Sequence, residues 1–255
     1  MVSPEEGWVV TNGATMLHYQ DGAWQSVPVP ARQLTAITML SAESGWAVGN
    51  FGAIVRYSDG QWRSVPSPVT QPLESISMVS ETEGWAVGGG DYFDRTPSVM
   101  LHYRAGVWRI APNPTHLPLT RVHMLSSTEG WAVGGTRFPP TASVILHFRD
   151  GIWGVAANPT PIPLSDIAFS SPTEGWAVGG GYFRVPFDCP SADETVQIST
   201  LLRYEQGVWR EVARPVDEAL RGIALHSADT GWIVGWNRLM QYDRGTWHNR
   251  SYNAQ

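Results

Sequence analysis

Twelve of the chain's thirteen tryptophans fall into a single register. A Gly-Trp pair recurs at Gly7-Trp8, Gly45-Trp46, Gly84-Trp85, Gly130-Trp131, Gly175-Trp176 and Gly231-Trp232. A second tryptophan follows each pair, at Trp24, Trp62, Trp108, Trp153, Trp209 and Trp247. From each second tryptophan to the next Gly-Trp tryptophan the distance is 22 residues once and 23 residues four times. The other half of the unit varies, at 16, 16, 23, 22, 33 and 15 residues. A tandem repeat of this period means that one unit cannot cover its own apolar faces and must bury them on its neighbours. The constant half is framework, and the variable half carries the insertions.

The framework reads as four short strands. The first is LTAITM, LESISM, LTRVHM, LSDIAF or LRGIAL, in which residues two apart, such as Ile37 and Met39, share a face. The second is GWAVG, with Trp46 and Val48 on one face and Ala47 on the other. The third is AIVRY, VMLHY, VILHF or TLLRY. A tight turn follows at Asp21-Gly22, Asp59-Gly60, Ala105-Gly106, Asp150-Gly151, Gln206-Gly207 and Arg244-Gly245, where glycine supplies the positive φ of a hairpin. The fourth strand starts at the second tryptophan, and a proline-rich link (VPSPVTQP, APNPTHLP, AANPTPIP) leads to the next unit.

Four short antiparallel strands in each unit, six times over, predict an all-β fold: a β-propeller of about six blades. One domain over 1–255 is expected, with blades at approximately 1–30, 31–69, 70–115, 116–160, 161–215 and 216–255. The Gly-Trp indoles are expected to fill the seams between blades. The first blade departs from the others. MVSPEEGW at the N-terminus aligns with MVSETEGW at 78–85, which places Met1 where a first strand should be ending. WHNRSYNAQ at the C-terminus stops where the link to a further first strand would run. The count is six second, third and fourth strands and five first strands. Either the first blade lacks its innermost strand or the chain is cut from a longer parent, and the bare edge would then invite pairing with a second chain.

The pattern of GWAVG followed by G-x-[IL]-[LV]-[HR]-Y-x-D-G-x-W, best seen in GWAVGNFGAIVRYSDGQW at 45–62, resembles the bacterial neuraminidase-like (BNR, Asp-box) repeat propellers. Within them it resembles the photosystem II stability/assembly factor-like proteins and their bacterial relatives. The resemblance covers nearly the whole chain. It implies a propeller, an extracytoplasmic or cell-surface location, and in the photosystem members a chaperoning role through an arginine patch. The Asp-box loop departs from the superfamily form S-x-D-x-G-x-T-W. Here it shrinks to Ser58-Asp59-Gly60-Gln61-Trp62, with no threonine before the tryptophan.

All length variation falls between the second and third strands. Units three, four and five insert GGDYFDRTPS (89–98), GTRFPPTAS (135–143) and GGYFRVPFDCPSADETVQIS (180–199). Three consecutive insertions are expected to form one raised crescent of loops. Each carries aromatics with arginine: Tyr92, Phe93 and Arg95, then Arg137 and Phe138, then Tyr182, Phe183 and Arg184. Such clusters suit protein hot spots, sugar stacking or anionic ligands, and loops on a rigid scaffold are where function concentrates. The prolines in these segments equally suit loops that only pack on one another. The leading expectation is a binding or assembly scaffold that recognises a protein or a glycan through these insertions. Two alternatives stand beside it: a glycoside hydrolase of sialidase type, active or degenerate, and a structural repeat segment of a larger surface protein.

Chemistry constrains the alternatives. A glycosidase needs two carboxylates about 5–9 Å apart. The insertions hold Asp91, Asp94, Asp188, Asp193 and Glu194, but loop acids at this density read as solvated turn formers. No catalytic residue is assigned. His18, His102 and His147 share one repeat position with Arg56, Arg203 and Gln241, which reads as surface-facing framework and not as a metal ligand. The glycine runs at 88–90 and 179–181 lack the following helix and lysine of a phosphate loop. No cofactor is expected, and no metal. All 17 basic residues are arginine, which removes lysine-based covalent chemistry. One cysteine, Cys189, allows no disulfide framework. A net charge of −6 gives no footprint for nucleic acid, and no apolar run is long enough to span a membrane.

Overall fold

A computed structural model describes residues 2–91, 96–136, 141–184, 195–212 and 218–250, with backbone alone at 91, 182–184 and 195–196. The first sheet holds β1 (Gly7–Val10), β2 (Thr15–Gln20) and β3 (Ala23–Pro28). The second holds β4 (Leu34–Met39), β5 (Gly45–Gly49), β6 (Ile54–Ser58) and β7 (Gln61–Ser64). The third holds β8 (Leu73–Ser80), β9 (Glu83–Asp91), β10 (Thr96–Arg104) and β11 (Val107–Ile110). The fourth holds β12 (Leu119–Met124), β13 (Glu129–Thr136), β14 (Ala142–Arg149) and β15 (Ile152–Val155). The fifth holds β16 (Leu164–Ser171), β17 (Glu174–Arg184), β18 (Thr195–Glu205) and β19 (Val208–Glu211). The sixth holds β20 (Leu220–Leu225), β21 (Thr230–Gly235), β22 (Leu239–Asp243) and β23 (Thr246–Arg250). In every sheet the strands follow chain order, and the first sheet has three strands where the other five have four. The missing innermost strand is the one the repeat count implies.

Each Asx-Gly or equivalent turn has positive φ at both central residues, for example Asp59 at 51° with Gly60 at 73°, and Ala105 at 53° with Gly106 at 80°. Two consecutive left-handed residues match the right-handed twist of the strands they join. The innermost strands carry a bulge between their first and third residues, at Leu34/Ala36, Leu73/Ser75, Leu164/Asp166 and Leu220/Gly222. The bulge sets the second residue apart from the pairing and turns the third toward the next innermost strand. Ser75 Oγ accepts a bond from the Val122 amide at 3.2 Å, and the buried Asp166 carboxylate accepts from the amides of Ile167 and Ile223 at 2.8 and 2.9 Å.

The glycines of the GWAVG strand are sterically required. A Cβ on Gly45 would lie 2.3 Å from the Met39 sulfur, and one on Gly84 would lie 2.2 Å from the Met78 sulfur. At the far end, a Cβ on Gly49, Gly88 or Gly179 would lie 2.1–2.4 Å from the carbonyl oxygen of Gln33, Pro72 or Pro163. The second strand is thus pressed against the end of its own first strand at one end and against the incoming link at the other.

The chain divides into two compact units, Met1–Gly130 with Phe148–Trp153, and Trp131–His147 with Gly154–Gln255. In the first, Trp8 lies 5.1 Å from Tyr57 and 5.6 Å from Trp62, Trp46 lies 4.7 Å from Tyr103 and 5.7 Å from Trp108, and Trp85 lies 5.1 Å from Phe148 and 5.4 Å from Trp153. In the second, Trp131 lies 4.9 Å from Tyr204 and 5.6 Å from Trp209, and Trp176 lies 5.4 Å from Tyr242 and 5.5 Å from Trp247. The two indoles of a pair stand near perpendicular, at 80–89°, so an edge meets a face. The Gly-Trp indole of one sheet therefore lies against the aromatic pair of the following sheet. Among the described residues, no helix is long and apolar enough to cross a membrane.

Candidate binding site

The insertions of the third and fifth sheets are lengthened hairpins at their bases, where the sequence suggests loops. In the third sheet, pairing of β9 with β10 continues to Asp91 opposite Thr96. In the fifth, pairing of β17 with β18 continues through Tyr182 opposite Gln197 to Arg184 opposite Thr195. The glycine runs make this extension possible. Gly89 and Gly90 have φ of 64° and 81°, and a Cβ on Gly90 would lie 2.7 Å from Pro118 Cα, so the hairpin lies directly on the link that follows its sheet. Gly180, at φ 131°, similarly passes 2.1 Å from the Ile198 carbonyl and 3.1 Å from Ala219 Cα, measured from the Cβ it lacks.

A polar latch fixes the base of two hairpins. Asn113 Nδ2 donates to Ser98 Oγ at 2.8 Å and to the Ser98 carbonyl at 3.1 Å, while its Oδ1 accepts the Thr115 amide at 3.2 Å. Asn158 repeats the arrangement, donating to Ser143 Oγ at 2.8 Å and accepting the Thr160 amide at 3.2 Å. The link sequence Asn-Pro-Thr, read above only as proline-rich, is thus a side-chain-to-backbone turn that clamps the start of the third strand. Its signal lies in the sequence: a serine stands fifteen residues before each Asn-Pro-Thr asparagine.

The recognition residues suggested by the sequence stand as follows. Tyr92, Phe93, Arg95, Arg137 and Phe138 lie outside the described residues. Tyr182, Phe183 and Arg184 have their backbones in β17, on the fifth-sheet hairpin, and their side chains lie outside the description. Of the five acids weighed for glycosidase chemistry, Asp94, Asp188, Asp193 and Glu194 lie outside it, as does Cys189.

The histidine position requires a correction. It does not face the surface as free framework. His18 stacks on Trp8 at 3.9 Å and 11°, His102 on Trp85 at 4.1 Å and 11°, and His147 on Trp131 at 3.7 Å and 6°. Arg56 and Arg203 place their guanidinium groups over Trp46 and Trp176 at 5.2 and 5.6 Å. Antiparallel register puts each directly across from its indole: Trp8 opposite His18, Trp46 opposite Arg56, Trp85 opposite His102 and Trp176 opposite Arg203. A carboxylate completes several of these stacks. Glu6 meets His18 Nε2 at 3.0 Å, Glu83 meets His102 Nε2 at 3.2 Å, and Glu174 accepts from Arg203 at 2.9 Å, which raises the arginine's pKa further. The position accepts His or Arg because each offers a flat polar face that can lie over an indole.

At the hairpin-turn end of the third sheet, away from its insertion, lies a cleft of about 610 Å³. Its lining includes Glu83, Trp85, His102, Arg104, Arg109 and Phe148. Arg104 and Arg109 are exposed, and the arrangement of two guanidinium groups beside an aromatic wall suits a carboxylate-bearing segment. Sequence reasoning missed this cleft because its residues are ordinary framework in every unit.

Antiparallel sheets with strands in chain order, the first five laying their Gly-Trp indoles on the sheet that follows, define a β-propeller of six blades, the first of three strands and the others of four. Solved structures show the same fold. The chain is similar to YCF48 bound to a D1 peptide, with 20% identity, a TM-score of 0.66, and coverage of 97% of this chain and 74% of that one. It is also similar to YCF48 from Cyanidioschyzon merolae, with 16% identity, a TM-score of 0.64, and coverage of 98% and 80% respectively. No family model matches the sequence, and comparison with curated proteins gives no match.

Proposed function

We propose that this chain is a non-enzymatic binding or assembly scaffold that recognises an extended protein segment. The observation that carries the reading is the likeness, over nearly the whole chain, to a propeller solved with a peptide bound to it. Latched hairpin bases support it, because a rigid support lowers the entropy lost when a tip engages a ligand. In this reading the contacts come from the insertions: Tyr92, Phe93 and Arg95 in the third sheet, Arg137 and Phe138 in the fourth, and Tyr182, Phe183 and Arg184 in the fifth. Aromatic and arginine side chains are the types that dominate protein hot spots.

The test is an array of overlapping peptides and a glycan array, each probed with wild type and two variants. One variant replaces Tyr92 and Phe93 by alanine, the other Tyr182 and Phe183. Binding of a discrete set of peptides, lost in at least one variant, supports the reading. Selective binding to glycans instead makes the chain a carbohydrate-binding propeller. Retention of every peptide by both variants removes the insertions as the site, and no ligand on either array removes the scaffold reading.

A further inference from the structure

Among the described residues, eight other than glycine hold positive φ. Six of them open the two-residue hairpin turns, each directly before a glycine. The other two are Gln33 at 55° and Phe51 at 60°, and they meet at one end of the second sheet. Phe51 stands in the turn Asn50–Gly52 between β5 and β6, the place at which the third to fifth sheets carry their insertions. The turn is seated on both sides. The Asn50 backbone amide donates to the Gln33 carbonyl at 3.0 Å, and Asn50 Nδ2 donates to Gln33 Oε1 at 3.1 Å. Gly52 passes so close to the following link that a Cβ there would lie 2.0 Å from the Val69 carbonyl oxygen. All of these residues belong to the first compact unit.

Phe51 is 78% exposed, more than any other large apolar side chain among the described residues. The left-handed backbone is unfavourable for phenylalanine, and asparagine or glycine would adopt it with less strain. With its ring mostly in water, Phe51 returns little to the core. Asparagine at 51 would relieve the strain and give up no buried contact. Strain held where the fold gains nothing from it marks a position that serves a ligand. The amide pair beside the ring shows which kind. With Asn50 Nδ2 committed to Gln33 Oε1, Gln33 Nε2 remains as a donor and Asn50 Oδ1 as an acceptor, both without another partner among the described residues. One donor and one acceptor complement the carbonyl and N–H of a peptide backbone. A phenyl ring has no polar handle, so the group that covers it is apolar.

We propose that Phe51, Gln33 and Asn50 form a further contact site for the extended protein segment that the scaffold binds. An apolar side chain of the segment covers the Phe51 ring. A backbone carbonyl of the segment accepts from Gln33 Nε2, and a backbone N–H donates to Asn50 Oδ1. The site rests on the scaffold reading, since its ligand is the same segment, and it adds the second sheet to a recognition surface otherwise drawn from the third to the fifth. Because the turn is already fixed on Gln33 and on the link, little further order is lost when the ring engages.

The test takes peptides that wild type selects from the overlapping array and titrates them, by fluorescence anisotropy, against wild type, Phe51→Asn, Gln33→Gly and the two insertion variants. Urea midpoints are measured in parallel. Phe51→Asn should bind at least about tenfold more weakly, the effect of removing a hot-spot aromatic. Gln33→Gly should bind about three- to tenfold more weakly, the effect of one lost hydrogen bond. The urea midpoint of Phe51→Asn should equal or exceed that of wild type, because the strain is relieved. One apolar residue of the peptide, replaced by serine, should weaken binding to wild type and leave binding to Phe51→Asn unchanged. If Phe51→Asn binds every selected peptide like wild type, the site is overturned; loss of those peptides by an insertion variant in the same titrations then leaves the scaffold reading standing without it. A lowered urea midpoint in Phe51→Asn makes the ring a structural part of the turn and also overturns the site. Glycan binding by wild type that Phe51→Asn alone loses gives the ring to a sugar and overturns the peptide contact. Wild type that selects no peptide removes the scaffold reading and the site together.

Discussion

Glycine does different work at the two ends of the GWAVG strand, and the difference is measurable. At Gly45 the nearest obstacle to a Cβ is the sulfur and methyl of Met39, the far end of a flexible side chain. At Gly49 the obstacles are the carbonyl oxygen of Gln33 at 2.4 Å and Leu34 Cα at 2.7 Å, both backbone. Methionine can change rotamer, whereas a paired backbone can move only by breaking its pairing. Gly49→Ala should therefore cost about 2–3 kcal/mol and Gly45→Ala about 1 kcal/mol, within the usual range for overpacking. Urea midpoints of the two variants check the order, and a smaller cost at Gly49 would mean that the link yields more readily than its hydrogen bonds suggest. The indole at Trp46 is a second residue-scale case. Its N–H is buried with no hydrogen-bond acceptor among the described residues, as are those of Trp8, Trp62 and Trp108. Each such group costs about 1–3 kcal/mol, so apolar burial and ring contact in these cores must exceed that sum.

At the scale of elements, the hairpin turns and innermost strands each give a prediction. Ala105 holds φ of 53°, a conformation that alanine adopts poorly and asparagine tolerates. Ala105→Asn should stabilise the chain by roughly 0.5–1 kcal/mol through the β10–β11 turn, visible as a raised urea midpoint with unchanged slope. In β8, Glu74 is the residue set apart by the bulge. Its side chain reaches solvent, yet crowding by protein raises its carboxyl pKa above the ordinary 4.5. A raised acid pKa means that the folded state disfavours the ionised form, so Glu74 contributes fully below pH 4.5 and loses that contribution as pH rises through the folded value. Glu74→Gln should then melt slightly higher than wild type at pH 7, and the gain should vanish in scans below pH 4. Much of this element level was legible in the sequence. Strand count, turn positions and the short first sheet follow from where Gly-Trp and the second tryptophan recur. The hairpin extension at 180–184 and 195–200 was not legible, because a glycine run hides the alternation that marks a strand. The stacked histidines were misread for a related reason: residue tolerance at one position looks like surface exposure until register places it across from an indole. The candidate site was legible as insertions carrying aromatics and arginine, but residue type alone does not orient a side chain.

For the molecule as a whole, a chain of stacked sheets has stability close to a sum over its units and their nearest-neighbour contacts. Tryptophans of identical repeat position should therefore differ sharply in what they contribute. Trp46, with its ring against Tyr103 and Trp108, should cost about 3–5 kcal/mol on replacement by alanine. Trp232 stands at the same repeat position with 42% of its surface in water, so Trp232→Ala at low protein concentration should shift the urea midpoint by less than about 1 kcal/mol. Equal midpoint shifts for the two variants would mean that contact with the following sheet's aromatic pair is not what gives this repeat position its weight.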